Sequence, residues 1–192
     1  EGGSMGDIYS KIDLKRDNSG AIYIDENDNI STKGIENVND YIKLGSVLPK
    51  ANMAWRNNFA WNNFKLGFMV SARLGGVVFS NTQAKLDDYG VSEASAAARD
   101  LGYVVINNGD RVSPEKWYNS IARTTIPQYY TYSATNIRLQ EASFGYTFSR
   151  KMLGDICDLT LSVVGRNLWM IYNKAPFDPE SVASTDNFYQ GI

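Results

Sequence analysis

The sequence has no histidine and a single cysteine, Cys157, in 192 residues. Without histidine the commonest general base and metal ligand are gone, and a Ser-His-Asp triad is excluded. One Cys closes no disulfide within the chain and builds no Cys-rich zinc site. No run approaches the roughly 18 apolar residues of a membrane-spanning helix. No charged-then-apolar leader opens the chain. It begins Glu1-Gly2-Gly3, without a Met, so sequence upstream is expected. Neither sign of charge dominates: 19 basic and 21 acidic side chains leave a net charge of −2, with no electrostatic case for nucleic acid. Asp87-Asp88 lies in polar loop sequence and invites no acid/base role. Gly75-Gly76 is followed by no Lys-Ser/Thr pair and cradles no phosphate. Neither an enzyme nor a cofactor is expected.

Aromatics, glycine and asparagine fill the space: 12 Tyr, 8 Phe, 4 Trp, 16 Gly and 18 Asn. Aromatics favour strands, and Gly and Asn favour turns. An all-β class is expected, as a secreted β-sandwich or an outer-membrane barrel.

Period-2 alternation locates about five long strands. Residues 8–17 (IYSKIDLKRD) alternate moderately, and a short strand over 21–25 follows the turn signal Asn18-Ser19-Gly20. In 52–61, Met53, Trp55, Phe59 and Trp61 share a face. After a tight turn at 61–63, the strand 64–74 sets Phe64, Leu66, Phe68, Val70, Ala72 and Leu74 against Lys65, Gly67, Met69, Ser71 and Arg73. In 136–148, Ala142, Phe144, Tyr146 and Phe148 oppose Glu141, Ser143, Gly145 and Thr147. Simple alternation puts Arg138 and Glu141, three apart, on opposite sides. Residues 158–171 form the last long strand, with Leu159, Leu161 and Val163 on one face. Cys157, at its start, is expected to be an inert, buried thiol. Residues 25–40 and 75–135 read as loops; within the second, 92–100 is one helical segment with Ser92 as N-cap. Some sixty residues are too many for an idle connection.

In a bilayer every backbone donor must be paired within the sheet, so strands survive only in a closed barrel. Such barrels alternate short periplasmic turns with long extracellular loops, and bear an apolar outer face, aromatic girdles and a polar lumen. A soluble sandwich also alternates, so both remain open at this point.

Several stretches resemble the SusC/RagA family of TonB-dependent outer-membrane transporters. Gly6-Asp7-Ile8-Tyr9 followed by Lys15-Arg16-Asp17 is similar to its GDIY…KRD strand. Leu44-Gly45-Ser46-Val47-Leu48-Pro49-Lys50 resembles LGNxxPK, with Ser for Asn. Phe64–Phe68 leading to Arg73-Leu74-Gly75-Gly76 and Val78-Phe79-Ser80 resembles the next strand and its exit. Ala134–Glu141 with Gly145-Tyr146-Thr147 resembles RLRE…LGYT, Gln140 replacing the second Arg. Gly165-Arg166-Asn167-Leu168-Trp169 matches GRNL plus an aromatic, and Phe177-Asp178-Pro179-Glu180 follows in order. The resemblance implies a partial transmembrane barrel: residues 1–192 as the C-terminal segment of a 22-stranded wall, plug domain and last strand absent. Asn187–Ile192 is expected to fall in the loop before that strand. The implied function is import of oligosaccharides or peptides across the outer membrane. The implied partners are a SusD-like lipoprotein at the mouth, TonB through the plug, and outer-membrane lipid. The alternative is a secreted carbohydrate-binding β-sandwich, soluble and closed by two sheets.

Three groups are candidate sites. Lys65, Arg73, Glu141 and Arg166 face the lumen if the strand phases hold. They either meet plug or substrate, or form cross-strand ion pairs and plug packing. Trp117, Tyr118, Tyr129, Tyr130 and Tyr132 crowd the end of the long loop. They either dock sugar or partner, or pack the loop on itself. Asp25, Asn27, Asn29 and Glu36 mimic a calcium loop, but Ile30 stands where the turn needs Gly; an acidic extracellular loop is the plainer reading, and no metal is expected.

Overall fold

The computed structural model describes residues 3–27 and 29–180. In chain order its strands are β1 (Asp7–Ser10), β2 (Ile12–Leu14), β3 (Thr32–Gly34), β4 (Ile42–Ser46), β5 (Ala51–Trp61), β6 (Phe64–Leu74), β7 (Val77–Phe79), β8 (Val104–Val105), β9 (Arg111–Val112), β10 (Thr131–Ser133), β11 (Asn136–Phe148) and β12 (Leu159–Asn173). Its α-helices are α1 (Asn81–Asp88), α2 (Glu93–Leu101), α3 (Pro114–Tyr118) and α4 (Pro127–Tyr130). The chain forms two units, one drawn from Glu1–Leu48 and Val77–Tyr132, the other from Pro49–Gly76 and Ser133–Pro179.

The second unit is an antiparallel sheet in the order β12-β11-β6-β5. The β5–β6 pairing runs from Ala51↔Leu74 to Trp61↔Phe64, so Asn62-Asn63 is a two-residue turn. Asn62 sits at φ 50, in the left-handed region that Asn tolerates. The amide of Thr147 donates to the Asn63 carbonyl at 2.8 Å, which puts both short connections at one end of the sheet. Gly75 and Gly76, at φ 77 and 84, let the chain leave at the other end.

Among the described residues four strands are long, β5, β6, β11 and β12. The expected strand over 8–17 is broken at Lys11 into β1 and β2. The Ser10 hydroxyl accepts from the Ile12 amide at 3.2 Å and donates to the Ile12 carbonyl at 2.7 Å, replacing ladder bonds with a local turn. β1 then pairs β4, and β2 pairs β3. Residues 21–25 make only isolated bridges, Arg16↔Ile22 and Ile24↔Ile30.

Residues 77–132, expected as loop with one helix, are organised throughout. The helix at 92–100 is present as α2, with Ser92 accepting from the Ser95 amide at 3.0 Å. Leu14, Ile22 and Ile30 form one core with Ala84, Ile106, Val112, Ile121, Ala122, Ile126 and Tyr130. Polar ties join the same two stretches: Gln128 Nε2 donates to the Ile12 carbonyl at 2.7 Å, and Ser120 Oγ to the Ile30 carbonyl at 3.0 Å. The core draws on distant segments, so neither shows a local hydrophobic period.

Candidate functional site

The four-stranded sheet has two chemically different faces. Pairing places Trp61, Phe64 and Tyr146 in one row, then Phe59, Leu66, Phe144 and Val163, and then Asn57, Phe68, Ala142 and Gly165. Phe59, Phe64, Leu66, Phe144 and Val163 are exposed, Val163 at 75%. Among the described residues no second layer covers this face, and a β-sandwich requires one. Phe64 and Tyr146 rings meet at 4.8 Å, and Tyr146 meets Phe148 at 4.8 Å, forming an aromatic band at the short-turn end. Trp55, Trp169 and Tyr172 mark a second band. Between Trp61 and Met53 the sheet runs about 26 Å along the strand, most of the roughly 25 Å apolar band of a barrel once tilted. Among the described residues no helix is long and apolar enough to cross a membrane, which says nothing of a β-barrel.

The opposite face holds all four lumen candidates. Lys65 and Arg73 lie on β6, Glu141 on β11 and Arg166 on β12. Arg56, Met69, Glu141 and Arg166 share one row across the four strands. Glu141 Oε1 accepts from Arg56 Nη2 at 2.8 Å, and Glu141 Oε2 pairs with Arg166 Nε at 3.4 Å. Glu141 is thus bracketed by two guanidiniums, one of which the sequence reading did not single out. A shallow groove of about 480 Å³ beside them is lined by Arg56, Asn58, Lys65, Ser143, Thr160 and Ser162. Gly67 gives its neighbours room: a Cβ there would stand 2.6 Å from Ser143 Oγ and 2.8 Å from Asn58 Oδ1.

Arg138 and Glu141 share this face, contrary to the expectation from alternation. Arg138 pairs with Ser71 and Glu141 with Met69, leaving Gln140 as an extra residue. Such a bulge resets the phase, so Ile137 and Leu139 join Ala142, Phe144 and Tyr146 on the apolar side. On β12 the slip is taken up by Asn167 and Leu168, between Arg166 and Trp169. Asn167 sits at φ 50 and accepts from Gln140 Nε2 at 3.0 Å. Leu168 folds back over Gly165, where a Cβ would be 2.6 Å from Leu168 Cδ2. Gly, Arg, Asn and Leu at 165–168 therefore supply space, charge, a left-handed turn and its cover.

The remaining motifs also meet one another. Asp7 pairs with Ser46, and the Lys43 ammonium bonds its carboxylate at 2.6 Å. That bond, with the Ser4 amide, holds the Asp7 carboxyl below its ordinary range. Asp17 closes the turn at 17–21 by accepting from the Ser19 and Ala21 amides. Arg138 Nη2 pairs with Asp178 Oδ1 at 2.5 Å, the Arg side chain 7% exposed.

The loop aromatics belong to the first unit. Tyr130 is buried at 1%, while Trp117, Tyr118 and Tyr129 are half-buried against the core. Trp117 and Tyr129 meet edge-on at 5.7 Å. Burial, with the Asp87 carboxylate nearby, raises the Tyr130 hydroxyl far above its usual pKa and pushes Tyr132 up to about 12.

Asp25 spends its carboxylate on its own loop, accepting from the Asn27 amide at 2.9 Å and the Asn29 amide at 2.7 Å. These bonds hold its pKa down. Glu36 lines a different, open groove with Lys33 and Asp40. Asp28, and the expectation about Asn187–Ile192, lie outside the described residues. Among the described residues no three His, Cys, Asp or Glu side chains are grouped to hold a metal. Cys157 is exposed, not buried: it precedes β12 in the turn after Gly154, outside the sheet.

These features, a bare apolar face backed by a charged one, define the class: a mostly β chain with an amphipathic antiparallel sheet. No family model matches the chain. It is 25% identical over 191 residues to TonB-dependent receptor P3 of Formosa agariphila, covering 97% of this chain and 18% of that protein. Its fold is similar to the RagAB peptide importer in the closed-closed state, with TM-score 0.58, 15% identity, and coverage of 90% of this chain and 20% of the other. The open-open state gives TM-score 0.55 and 16% identity, covering 91% and 19%. The chain spans about a fifth of the length of these relatives. The resemblance to SusC/RagA-type TonB-dependent transporters read from the sequence motifs is borne out.

Proposed function

We propose that this chain is a piece of the wall of an outer-membrane TonB-dependent importer, with part of its extracellular superstructure. The observation that carries the reading is the continuous exposed apolar face of β5, β6, β11 and β12, whose reverse side is polar and charged. Water would leave such a face uncovered at great cost; lipid is the solvent it suits. On this reading the short turns at 61–64 and 148–159 lie in the periplasm. The unit built from 77–132 and the N-terminal segment then lies outside the cell. Lys65, Arg73, Glu141 and Arg166 face the lumen. The whole protein takes up oligosaccharides or peptides, a SusD-like lipoprotein closes its mouth, and TonB supplies work through the plug. The relative and the fold neighbours are a receptor and an importer, which supports a non-enzymatic role.

The test is to fractionate cells expressing the full-length protein, and to capture it by a tag in mild detergent. Recovery in the outer-membrane fraction, with a co-purifying lipoprotein, is expected. Recovery in the soluble periplasm overturns the reading.

A further inference from the structure

We propose that Arg56, Arg166 and Lys65 form an anion clamp in the lumen, built to guide a carboxylate-bearing oligosaccharide. This deepens the functional reading above and rests on it.

The charge count on this patch is unbalanced. Arg56 and Arg166 share a row with a single carboxylate, Glu141, and Lys65 lines the groove with Arg56. Glu141 is 19% exposed at its side chain, while Arg56 and Arg166 are 59% and 77% exposed. The carboxylate therefore lies beneath the guanidiniums and holds each by one nitrogen, Nη2 of Arg56 and Nε of Arg166. A guanidinium carries five N–H donors in a rigid fork. Most of those donors are left to the open side, already oriented. Two forks tied to one half-buried acid are suited to bidentate capture of a carboxylate.

The groove beside the clamp favours a sugar. Asn58, Ser143, Thr160 and Ser162 line it with amide and hydroxyl groups, matching sugar hydroxyls. Ser143 Oγ and Asn58 Oδ1 close in over Gly67, so the two polar groups stand together on the groove floor. Lys65 lines the same groove, and adds a compact, mobile charge for the next acidic unit along a chain. Glu141 also lines the groove, and its role in this scheme is to position the two guanidiniums.

The experiment uses the purified full-length protein in detergent. Binding of hexagalacturonate, of a neutral galactose hexamer and of hexaglutamate is measured by calorimetry at two salt concentrations. Hexagalacturonate is expected to bind at least about tenfold tighter than the neutral sugar, weakening with salt. R56Q/R166Q is expected to remove that preference, bringing hexagalacturonate binding down to the level of the neutral sugar. Glu141→Gln raises the positive charge by one yet releases both forks; weaker hexagalacturonate binding is expected if orientation matters. Tighter binding by Glu141→Gln overturns the clamp, because it makes Glu141 merely an opposing charge. Equal binding of charged and neutral sugars overturns it as well. Preference for hexaglutamate overturns the sugar assignment. Outer-membrane recovery is scored first on the same preparations. Absence from that fraction overturns the transporter reading and the clamp together, whereas correct insertion with no charge preference overturns the clamp alone.

Discussion

Single residues set the backbone geometry on which the sheet depends. Asn167 is held at φ 50 within β12, where most side chains are strained by about 1–2 kcal/mol. Asn167→Val is expected to lower the apparent Tm of the detergent-solubilised protein, by an amount matching about that strain. Asn167→Gly, free of the Cβ penalty, is expected to lose only the bond from Gln140. Asn167 was legible as part of a motif; its left-handed backbone was not, since asparagine is equally at home in ordinary turns. A second residue-scale expectation concerns pH. Burial first, and the Asp87 carboxylate second, keep Tyr132 neutral up to about 12, whereas an unfolded tyrosine ionises near about 10. In the window between, the unfolded state binds fewer protons, so stability falls as pH rises. Tyrosinate absorbance is expected to show a class that ionises only with unfolding. A single titration of all tyrosines near their ordinary pKa, with the fold intact, would contradict the burial of Tyr130 and Tyr132.

At the level of elements, the bulge decides which side of β11 faces which solvent. Gln140 has no partner in the β6 ladder, and its insertion keeps Ile137 and Leu139 on the apolar side of Ala142 and Phe144. Deleting Gln140 removes the phase reset, so either half of β11 must present its apolar side chains to the polar face. The deletion is expected to abolish the heat-resistant folded band of the full-length protein. Gln140→Ala, which keeps the extra residue, is expected to retain it. β5, β6 and β12 were legible to within a residue or two because β5 and β6 carry long runs of period 2, and β12 opens on one at Leu159, Leu161 and Val163 ahead of its slip at Asn167-Leu168. β11 was legible as a strand but not in phase, because a bulge leaves no mark on composition. The expected strand over 8–17 failed for a related reason. Its alternation continues through Lys11, while the Ser10 hydroxyl diverts the backbone there. The Arg56–Glu141–Arg166 bracket was half legible: the Glu and one Arg stood out, but pairing Arg56 to the row required the register.

For the whole molecule the deciding question is which solvent wets the sheet, and two adjacent residues on β12 can answer it. Ser162 pairs with Gly145 on the polar side, and Val163 pairs with Phe144 on the apolar side; both are exposed. In water, Arg at either position keeps its charge hydrated, and both substitutions stay within about 0.5 kcal/mol of neutral. In a bilayer the two faces part company. Arg on a lipid-facing position costs about 2–4 kcal/mol at the midplane and about 0–1 near the interface. Val163 stands one row in from the aromatic band of Phe64 and Tyr146, so a cost on the order of 2 kcal/mol is expected for Val163→Arg. Ser162→Arg is expected to be nearly neutral, because it adds a cation to a wet, polar wall. Reversible unfolding of the full-length protein from lipid vesicles, followed by tryptophan fluorescence, measures both. The ratio matters more than either value: equal, small effects would mean that water wets both faces, and the barrel-wall reading would fall with them. A large penalty for Val163→Arg alone ties the period of 2 along this chain to lipid on one side and an aqueous lumen on the other.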